Sequence, residues 1–214
     1  MRVWDRHTEI ILARYAKLGT KRAVIPKDVL VKTYLSKAMH VAEVTDKIIL
    51  EIGAGCSPYV ELFLEAGCRK YYANELVPER LWATRVTDPR WIELPGDFRG
   101  VDVPERVDIV FASLTMMCVV PYHEEFVSKI SSIPRPGGVF LSMDANFLCP
   151  LSIARRFLDR NPNPVRLFSP FRYSRLVEAK GMKVEKLVPF TGPVPWVTGN
   201  WLLGTTFFLR ARKL

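Results

Sequence analysis

The sequence of 214 residues contains no glutamine and only five asparagines, so the side-chain amides that deteriorate on heating are scarce. This scarcity raises the hypothesis of a source that lives at high temperature. No apolar run reaches the roughly 20 residues that a membrane-spanning helix needs. The apolar stretch WLLGTTFFL (Trp201–Leu209) is short, and its β-branched and aromatic residues favour a buried strand. The first ten residues lack the apolar core of a signal peptide, so we expect a cytoplasmic protein.

The sequence also lacks the spacings of metal-binding and disulfide-rich proteins. Its four cysteines are scattered, with no C-x-x-C pair and no histidine at ligand spacing; they are Cys56, Cys68, Cys118 and Cys149. Structural zinc sites and disulfide frameworks place their cysteines at short, regular intervals. We therefore expect no metal site and four reduced thiols that pack mostly as small apolar groups.

What the chain does have is an excess of positive charge and enough apolar residues for a full-size core. It carries 31 Lys and Arg against 22 Asp and Glu, a formal charge of +9, and 49% of its residues are hydrophobic. A basic surface admits nucleic acid, anionic lipid or acidic small molecules as partners, or no specific partner at all. The length suits a single domain.

Short apolar runs alternate with helical patterns from residue 47 onward. The predicted strands lie within Lys47–Gly53, Lys70–Leu76, Trp91–Phe98, Arg106–Leu114, Pro136–Asn146, Lys183–Val188 and Thr205–Arg210. The predicted helices between them are Ser57–Gly67, Pro78–Arg85, His123–Ile133 and Phe171–Lys180. This alternation predicts βαβ units and a parallel sheet that is covered on both faces. The turn-rich stretch before the last strand indicates a terminal hairpin.

We interpret residues 1–214 as one domain with two additions to this pattern. Residues 1–46 form an N-terminal helical cap, with helices predicted at Thr8–Leu18 and Asp28–Val44. Residues 148–170 interrupt the alternation of strands and helices. We interpret them as an insertion on the acceptor side, between the fifth strand and the next helix.

A glycine loop follows the first predicted strand. ILEIGAG (Ile49–Gly55) ends in G-x-G, where the missing Cβ atoms let a ligand approach the backbone, although ordinary strand-to-helix turns share this pattern. The dinucleotide fingerprint needs a third glycine at position 58, which is Pro58. Glu51 would repel a pyrophosphate and suits a ligand with a cationic ammonium, or it braces the loop. A nicotinamide dinucleotide is the alternative ligand.

In this context the sequence resembles the class I S-adenosylmethionine-dependent methyltransferases, in particular the small single-domain members of the methyltransferase type 11 kind. The matching motifs are ILEIGAGCSPY (Ile49–Tyr59), GDF (Gly96–Phe98), VDIVFASLTMM (Val107–Met117) and RPGGVFLSMD (Arg135–Asp144). The resemblance implies an α/β fold: a Rossmann-like, seven-stranded, mostly parallel sheet with helices on both faces and an antiparallel C-terminal hairpin. It also implies S-adenosyl-L-methionine as the cofactor.

The resemblance assigns ten cofactor-binding residues, which are Glu51, Gly53, Ala54, Gly55, Glu75, Leu76, Asp97, Phe98, Ser113 and Leu114. Glu75 lies about 20 residues past the loop, where an acid accepts both ribose hydroxyls. Asp97 is expected to meet the exocyclic amine of adenine, and Phe98 to lie along the base. Plainer interpretations remain. Glu75 is then a solvated acid at a strand end, Asp97 only stabilises a turn, and Leu114 is a core residue.

Methyl transfer from a sulfonium depends largely on positioning and desolvation, so no catalytic triad is expected. Hydroxyl acceptors usually need a general base, whereas carboxylates and free amines often do not. His123, after the fourth strand, and Asp144, at the end of the fifth, are the predicted catalytic candidates. For His123 the alternative is a helix-start residue without chemistry.

The motifs also narrow the acceptor. ASLTMM replaces the N/D-P-P-Y/F motif of methylases that act on amide or adenine nitrogens, and Cys118 lacks the context of a cytosine C5 nucleophile. We predict a small-molecule, saccharide (glycan) or lipid-linked acceptor. The insertion contains Arg155, Arg156, Arg160 and Arg166. These arginines either bind an anionic acceptor or form part of a solvated basic helix. The alternatives are a tRNA or rRNA methyltransferase, favoured only by charge, and a non-catalytic S-adenosylmethionine-binding module.

Overall fold

The computed structural model describes Glu9 and residues 43–56, 59–82, 85–158, 168–190 and 200–214. Their strands are β1 (Ile48–Ile52), β2 (Lys70–Glu75), β3 (Trp91–Pro95), β4 (Val107–Ser113), β5 (Pro134–Ala145), β6 (Met182–Phe190) and β7 (Thr206–Lys213). These seven strands form one sheet in the order β3-β2-β1-β4-β5-β7-β6. The first five pair in parallel, whereas β7 pairs antiparallel with β5 and with β6. The predicted fold class is therefore confirmed.

The described helices are α1 (Val60–Glu65), α2 (Pro78–Trp82), α3 (His123–Ser132), α4 (Pro150–Leu158) and α5 (Pro170–Ala179). Four of them confirm predicted helices, and α4 occupies the first part of the predicted insertion. The rest of the insertion and almost all of the predicted N-terminal cap lie outside the described residues. Within the part of the chain that is described, no helix has the length and apolar character to cross a membrane.

The centre of the sheet is β1, whose sequence IILEI is buried along its whole length. Its side chains alternate between the two faces of the sheet. Ile49 packs on one face in a cluster that includes Phe63 and Tyr71, and Leu50 packs on the other face with Phe126. Each such aliphatic side chain stabilises the fold by roughly 1.5–3 kcal/mol. Apolar cores on both faces thus fix β1 and the loop that follows it.

The chain continues from β1 to β2 on one side of the sheet, and β4 lies on the other side. The connections that leave β1 and β4 therefore diverge, which opens a crevice at the carboxyl ends of these strands. The glycine loop, the end of β2 and the end of β4 all meet there.

The residues just before the last strand do not follow their strand propensity. The composition of Trp201–Leu209 favours a buried strand throughout, but β7 begins at Thr206, in agreement with the predicted bounds Thr205–Arg210. Leu202 and Leu203 lie in an exposed turn, because the Oδ1 atom of Asn200 accepts hydrogen bonds from both of their N–H groups at 2.9 and 3.3 Å. A side-chain hydrogen bond thus overrides the strand propensity of these residues.

Candidate active site

Both glycines of the loop adopt the left-handed backbone region, with φ of +68° at Gly53 and +55° at Gly55. A Cβ atom at Gly53 would lie 2.7 Å from Cγ2 of Thr115, and one at Gly55 would lie 2.7 Å from Nη2 of Arg80. Ala54 between them donates its N–H to the Asn74 carbonyl at 2.9 Å. The backbone conformation therefore favours glycine at both positions, and at Gly53 the Thr115 side chain also leaves no room for a Cβ atom.

Glu75, at the end of β2, is buried and bound to the glycine loop. Its Oε2 atom accepts the Gly55 N–H at 2.7 Å, and its Oε1 atom accepts the Val77 N–H at 3.1 Å. Burial raises the pKa of Glu75, while these N–H groups and the charge of Arg80 oppose the rise. A carboxylate has about four lone-pair positions, so Glu75 keeps capacity for two further hydroxyl donors.

The structure places Glu51 within the core of one sheet face. Its side chain is buried, and the hydroxyl of Tyr71 donates a hydrogen bond to its Oε2 atom. This contact braces the strand that leads into the loop. A direct contact between Glu51 and a ligand stays a prediction.

The adenine-binding stretch has its two side chains in different surroundings. Asp97 accepts hydrogen bonds from Nε and Nη2 of Arg99, at 2.9 and 2.6 Å, and the Arg99 guanidinium lies 4.2 Å from the Tyr122 ring centroid. Phe98 is only 3% exposed, and the centroid of its ring lies 5.4 Å from that of the Phe126 ring. The ring of Phe98 thus belongs to the core. The predicted contacts of both residues with adenine stay predictions.

Leu114 projects from the end of β4 with a φ of +54° and 49% exposure. Its N–H donates to the Met143 carbonyl at 2.7 Å, which holds the strained residue in place. The hydroxyl of the preceding Ser113 donates to that of Tyr59 at 3.5 Å. A non-glycine residue in this conformation costs about 1–3 kcal/mol and is typical of binding sites. The plainer interpretation of Leu114 as a core residue does not fit its exposure.

An apolar contact closes one side of the crevice. Leu76, just past β2, packs with Met117 and Cys118 of the 3-10 turn that follows β4. The contact therefore spans the end of β1 and offers an apolar wall beside Glu75.

Both predicted catalytic residues bind that same turn. Asp144 is 0% exposed; its Oδ1 atom accepts the Met117 N–H at 3.1 Å, and its Oδ2 atom accepts the Ser142 hydroxyl at 2.6 Å. The Nε2 atom of His123 donates to the Met116 carbonyl at 2.7 Å. The two side chains thus approach the turn from different elements, β5 and α3.

Burial shifts the pKa of each residue in the direction that favours its neutral form. It raises the pKa of Asp144 to about 7, against the hydrogen bonds from Ser142 and the turn. It lowers the pKa of His123, which packs against Phe168 with ring centroids 4.6 Å apart. Because Nε2–H is the donor to the turn, the lone pair of neutral His123 lies on Nδ1.

Two further residues shape the site and were missed from the sequence. The Oγ1 atom of Thr115 donates to the Ile52 carbonyl at 3.0 Å, which brings the turn against the glycine loop. The Nδ2 atom of Asn74 donates to the carbonyls of Leu94 and Gly96 at 2.8 and 3.0 Å, which joins the ends of β2 and β3. A single hydroxyl or amide within an apolar run was the only available signal.

This fold and crevice define a Rossmann-like domain of the methyltransferase kind. Residues 50–142 match the family model described as "Methyltransferase domain". The predicted resemblance to the class I S-adenosylmethionine-dependent methyltransferases is therefore confirmed.

Individual relatives agree with this assignment. A malonyl-[acyl-carrier protein] O-methyltransferase of Chlorobium luteolum is 33% identical over 111 residues, which are 49% of this chain and 42% of that protein. The chain thus spans less than half the length of this curated relative. A methyltransferase structure from Mesorhizobium loti has a TM-score of 0.64 at 16% identity and covers 80% of this chain and 93% of its own. Magnesium protoporphyrin IX methyltransferase of Synechocystis, solved with bound S-adenosylhomocysteine, has a TM-score of 0.62 at 11% identity, with coverage of 87% and 81%.

Proposed function

We propose that this chain transfers a methyl group from S-adenosylmethionine to a small-molecule, saccharide or lipid-linked acceptor. The observation that carries the proposal is the 2.7 Å hydrogen bond from the Gly55 N–H to Glu75. It joins an open glycine backbone to a buried acid at the crevice where α/β sheets bind their ligands. When bound there, the cofactor supplies a methyl group on a positively charged sulfur.

The residues at the crevice fit the parts of this cofactor. The backbone of Gly53–Gly55 leaves room for close approach, and Glu75 has lone pairs for the ribose hydroxyls. Leu76 and Leu114 offer apolar surface to the adenine ring of the cofactor. Arg80, whose guanidinium lies against Gly55, suits a carboxylate such as that of an amino-acid end.

For the acceptor we propose a group that is nucleophilic without a general base, such as a carboxylate. Asp144 is fully buried and Nε2 of His123 is bound to the turn, so in this proposal both residues position Met116–Cys118 and neither is required as a base. O-methylation of a malonyl group, as in the name of the curated relative, is a reaction of this kind. Positioning and exclusion of water then supply the rate enhancement.

Calorimetry with S-adenosylhomocysteine, followed by transfer of label from S-adenosylmethionine into fractionated cell material, tests the proposal. We expect S-adenosylhomocysteine to bind and label to enter a small-molecule, glycan or lipid fraction. Binding of NADH in place of S-adenosylhomocysteine would contradict the cofactor. Label in RNA would replace the acceptor class by tRNA or rRNA, and binding without any transfer would indicate a non-catalytic module.

A further inference from the structure

Exposed apolar side chains are concentrated at one place on the described surface. Five of the eight large hydrophobic residues that are exposed in the described segments lie around the ends of β5 and β7. We call these five the apolar rim: Phe147, Leu151, Phe171, Leu202 and Leu203. Their exposure runs from 42% to 64%. A contiguous apolar surface of this kind usually marks an interaction site.

Hydrogen bonds and ring contacts hold the rim together. The Nδ2 atom of Asn146 donates to the Trp201 carbonyl at 2.8 Å, which ties the end of β5 to the turn before β7. The Ser152 hydroxyl donates to the Thr205 carbonyl at 3.1 Å, which brings α4 to the same turn. The ring centroids of Phe171 and Trp201 lie 4.8 Å apart, which brings α5 to the same turn. The rim is therefore one surface built from three segments.

The rim lies beside the candidate active site. Its first residue, Phe147, follows the end of β5, and Met143 of that strand accepts the N–H of Leu114 at 2.7 Å. Leu114 itself is exposed at the crevice. A molecule seated on the rim would thus reach the crevice from the side of β5.

The charge of these segments is mostly positive. Residues 145–158, 168–179 and 200–206 contain four arginines and one acidic residue, Glu178. Two of these arginines, Arg172 and Arg175, are exposed on α5 directly after Phe171. The apolar rim is therefore bordered by positive charge.

We propose that the apolar rim docks on the surface of an anionic lipid bilayer, so that the acceptor is a lipid-linked molecule presented from that surface. Phe and Leu side chains with adjacent Arg are the composition of segments that lie in the membrane interface. Protein interfaces favour Trp, Tyr and Arg over Leu at their centres, which fits the rim less well. The identity of the acceptor rests on the proposed function, whereas docking itself does not.

Co-sedimentation with vesicles of phosphatidylcholine, with and without phosphatidylglycerol, tests the proposal. We expect wild-type protein to bind the anionic vesicles, and to bind less as salt is raised, because the arginine contribution is screened. The triple substitution Leu151→Ser, Leu202→Ser and Leu203→Ser should weaken binding at least about tenfold, since burying one leucine contributes about 1.5–3 kcal/mol. Arg172→Ala with Arg175→Ala should remove the preference for anionic vesicles.

The matched control is Leu214→Ser, since Leu214 is 77% exposed but follows the opposite end of β7 from the rim. We expect it to bind like the wild type. Failure of the wild type to bind either vesicle, or equal binding by the triple variant, overturns the proposal. Concentration-dependent dimers that the triple variant abolishes, with no vesicle binding, would assign the rim to a second copy of the chain instead. S-adenosylhomocysteine affinity, measured separately, tests the proposed function without reference to lipid.

Discussion

Glu75 and Asp144 are buried carboxyl groups at strand ends, but they lie in different halves of the sheet. In the donor half, formed by β1 to β4, backbone N–H groups and the charge of Arg80 oppose the rise in pKa that burial causes at Glu75, although the pKa stays above its ordinary value. In the acceptor half, formed by β5 to β7, Asp144 is compensated by the Ser142 hydroxyl and backbone N–H groups, and its pKa rises to about 7. Glu75 thus has a positively charged neighbour that favours its charged form, whereas Asp144 has only neutral hydrogen-bond donors and is mostly protonated below about pH 7.

The largest effect that tests this contrast is the pH dependence of stability. Asp144 has a pKa of about 7 in the folded protein and 3.8 as the reference value. The folded state therefore binds the extra proton between these values, and its stability falls as pH rises from about 4 to about 7. At about 1.4 kcal/mol for each pKa unit, the loss is roughly 4 kcal/mol. Asp144→Asn should remove this loss, of which roughly 2.5 kcal/mol falls between pH 5 and pH 8, the two values at which urea unfolding measures it.

Asp102→Asn, on an exposed loop, is the control and should keep the wild-type pH dependence. If the Asp144→Asn protein lost stability with pH in parallel with the wild type, the buried proton would lie elsewhere. The two halves would then not differ as described.

A second prediction compares one glycine from each half. Gly53→Ala meets both an unfavourable φ of +68° and the side chain of Thr115. Gly181→Ala meets only the unfavourable φ of +80°, since no atom lies within 4 Å of the added Cβ. We expect the unfolding free energy to fall by about 1 kcal/mol at Gly181 from backbone strain, and by about 3 kcal/mol at Gly53.

Chemical denaturation measures both losses. Equal losses at the two positions would mean that Thr115 moves away without cost. In that case the tight packing that we ascribe to the donor half would be absent.

The smallest predicted effect is on ligand affinity. Glu75→Gln keeps the shape of the side chain but removes its charge, and hydrogen bonds to charged groups are worth about 1.5–3 kcal/mol. We expect S-adenosylhomocysteine affinity to fall about tenfold or more by calorimetry. Glu79→Gln, on the exposed first turn of α2, is the matched control and should bind as the wild type does. Equal affinity in both variants would remove Glu75 from the proposed ribose site.

The sheet was predictable because its information is local. The run Ile48–Ile52 is apolar on both faces except for Glu51, and this pattern indicates a buried parallel strand. The proximity of Glu75 to Gly55 was also predictable, since their spacing along the chain places both at one edge of a parallel sheet.

The remaining site features depend on contacts between distant segments. The left-handed conformation of Leu114 and the contact of Thr115 with Gly53 arise only when β4 lies beside β1. The complete burial of Asp144 likewise needs the turn at Met117. The core position of the Phe98 ring needs Phe126 of a later helix. A local sequence pattern does not show which distant residues come into contact in the folded chain.

The position of β7 has a consequence for how the polypeptide reaches its folded state. β7 follows the other six strands in the sequence, yet it lies between β5 and β6. β6 therefore finds no edge to join until β7 has been synthesised and paired with β5. Such non-local pairing carries a loop-closure cost that slows folding. A ribosome-bound chain lacking β7 would hold the Met182–Phe190 segment without its sheet partner, exposing it to chaperones and to aggregation.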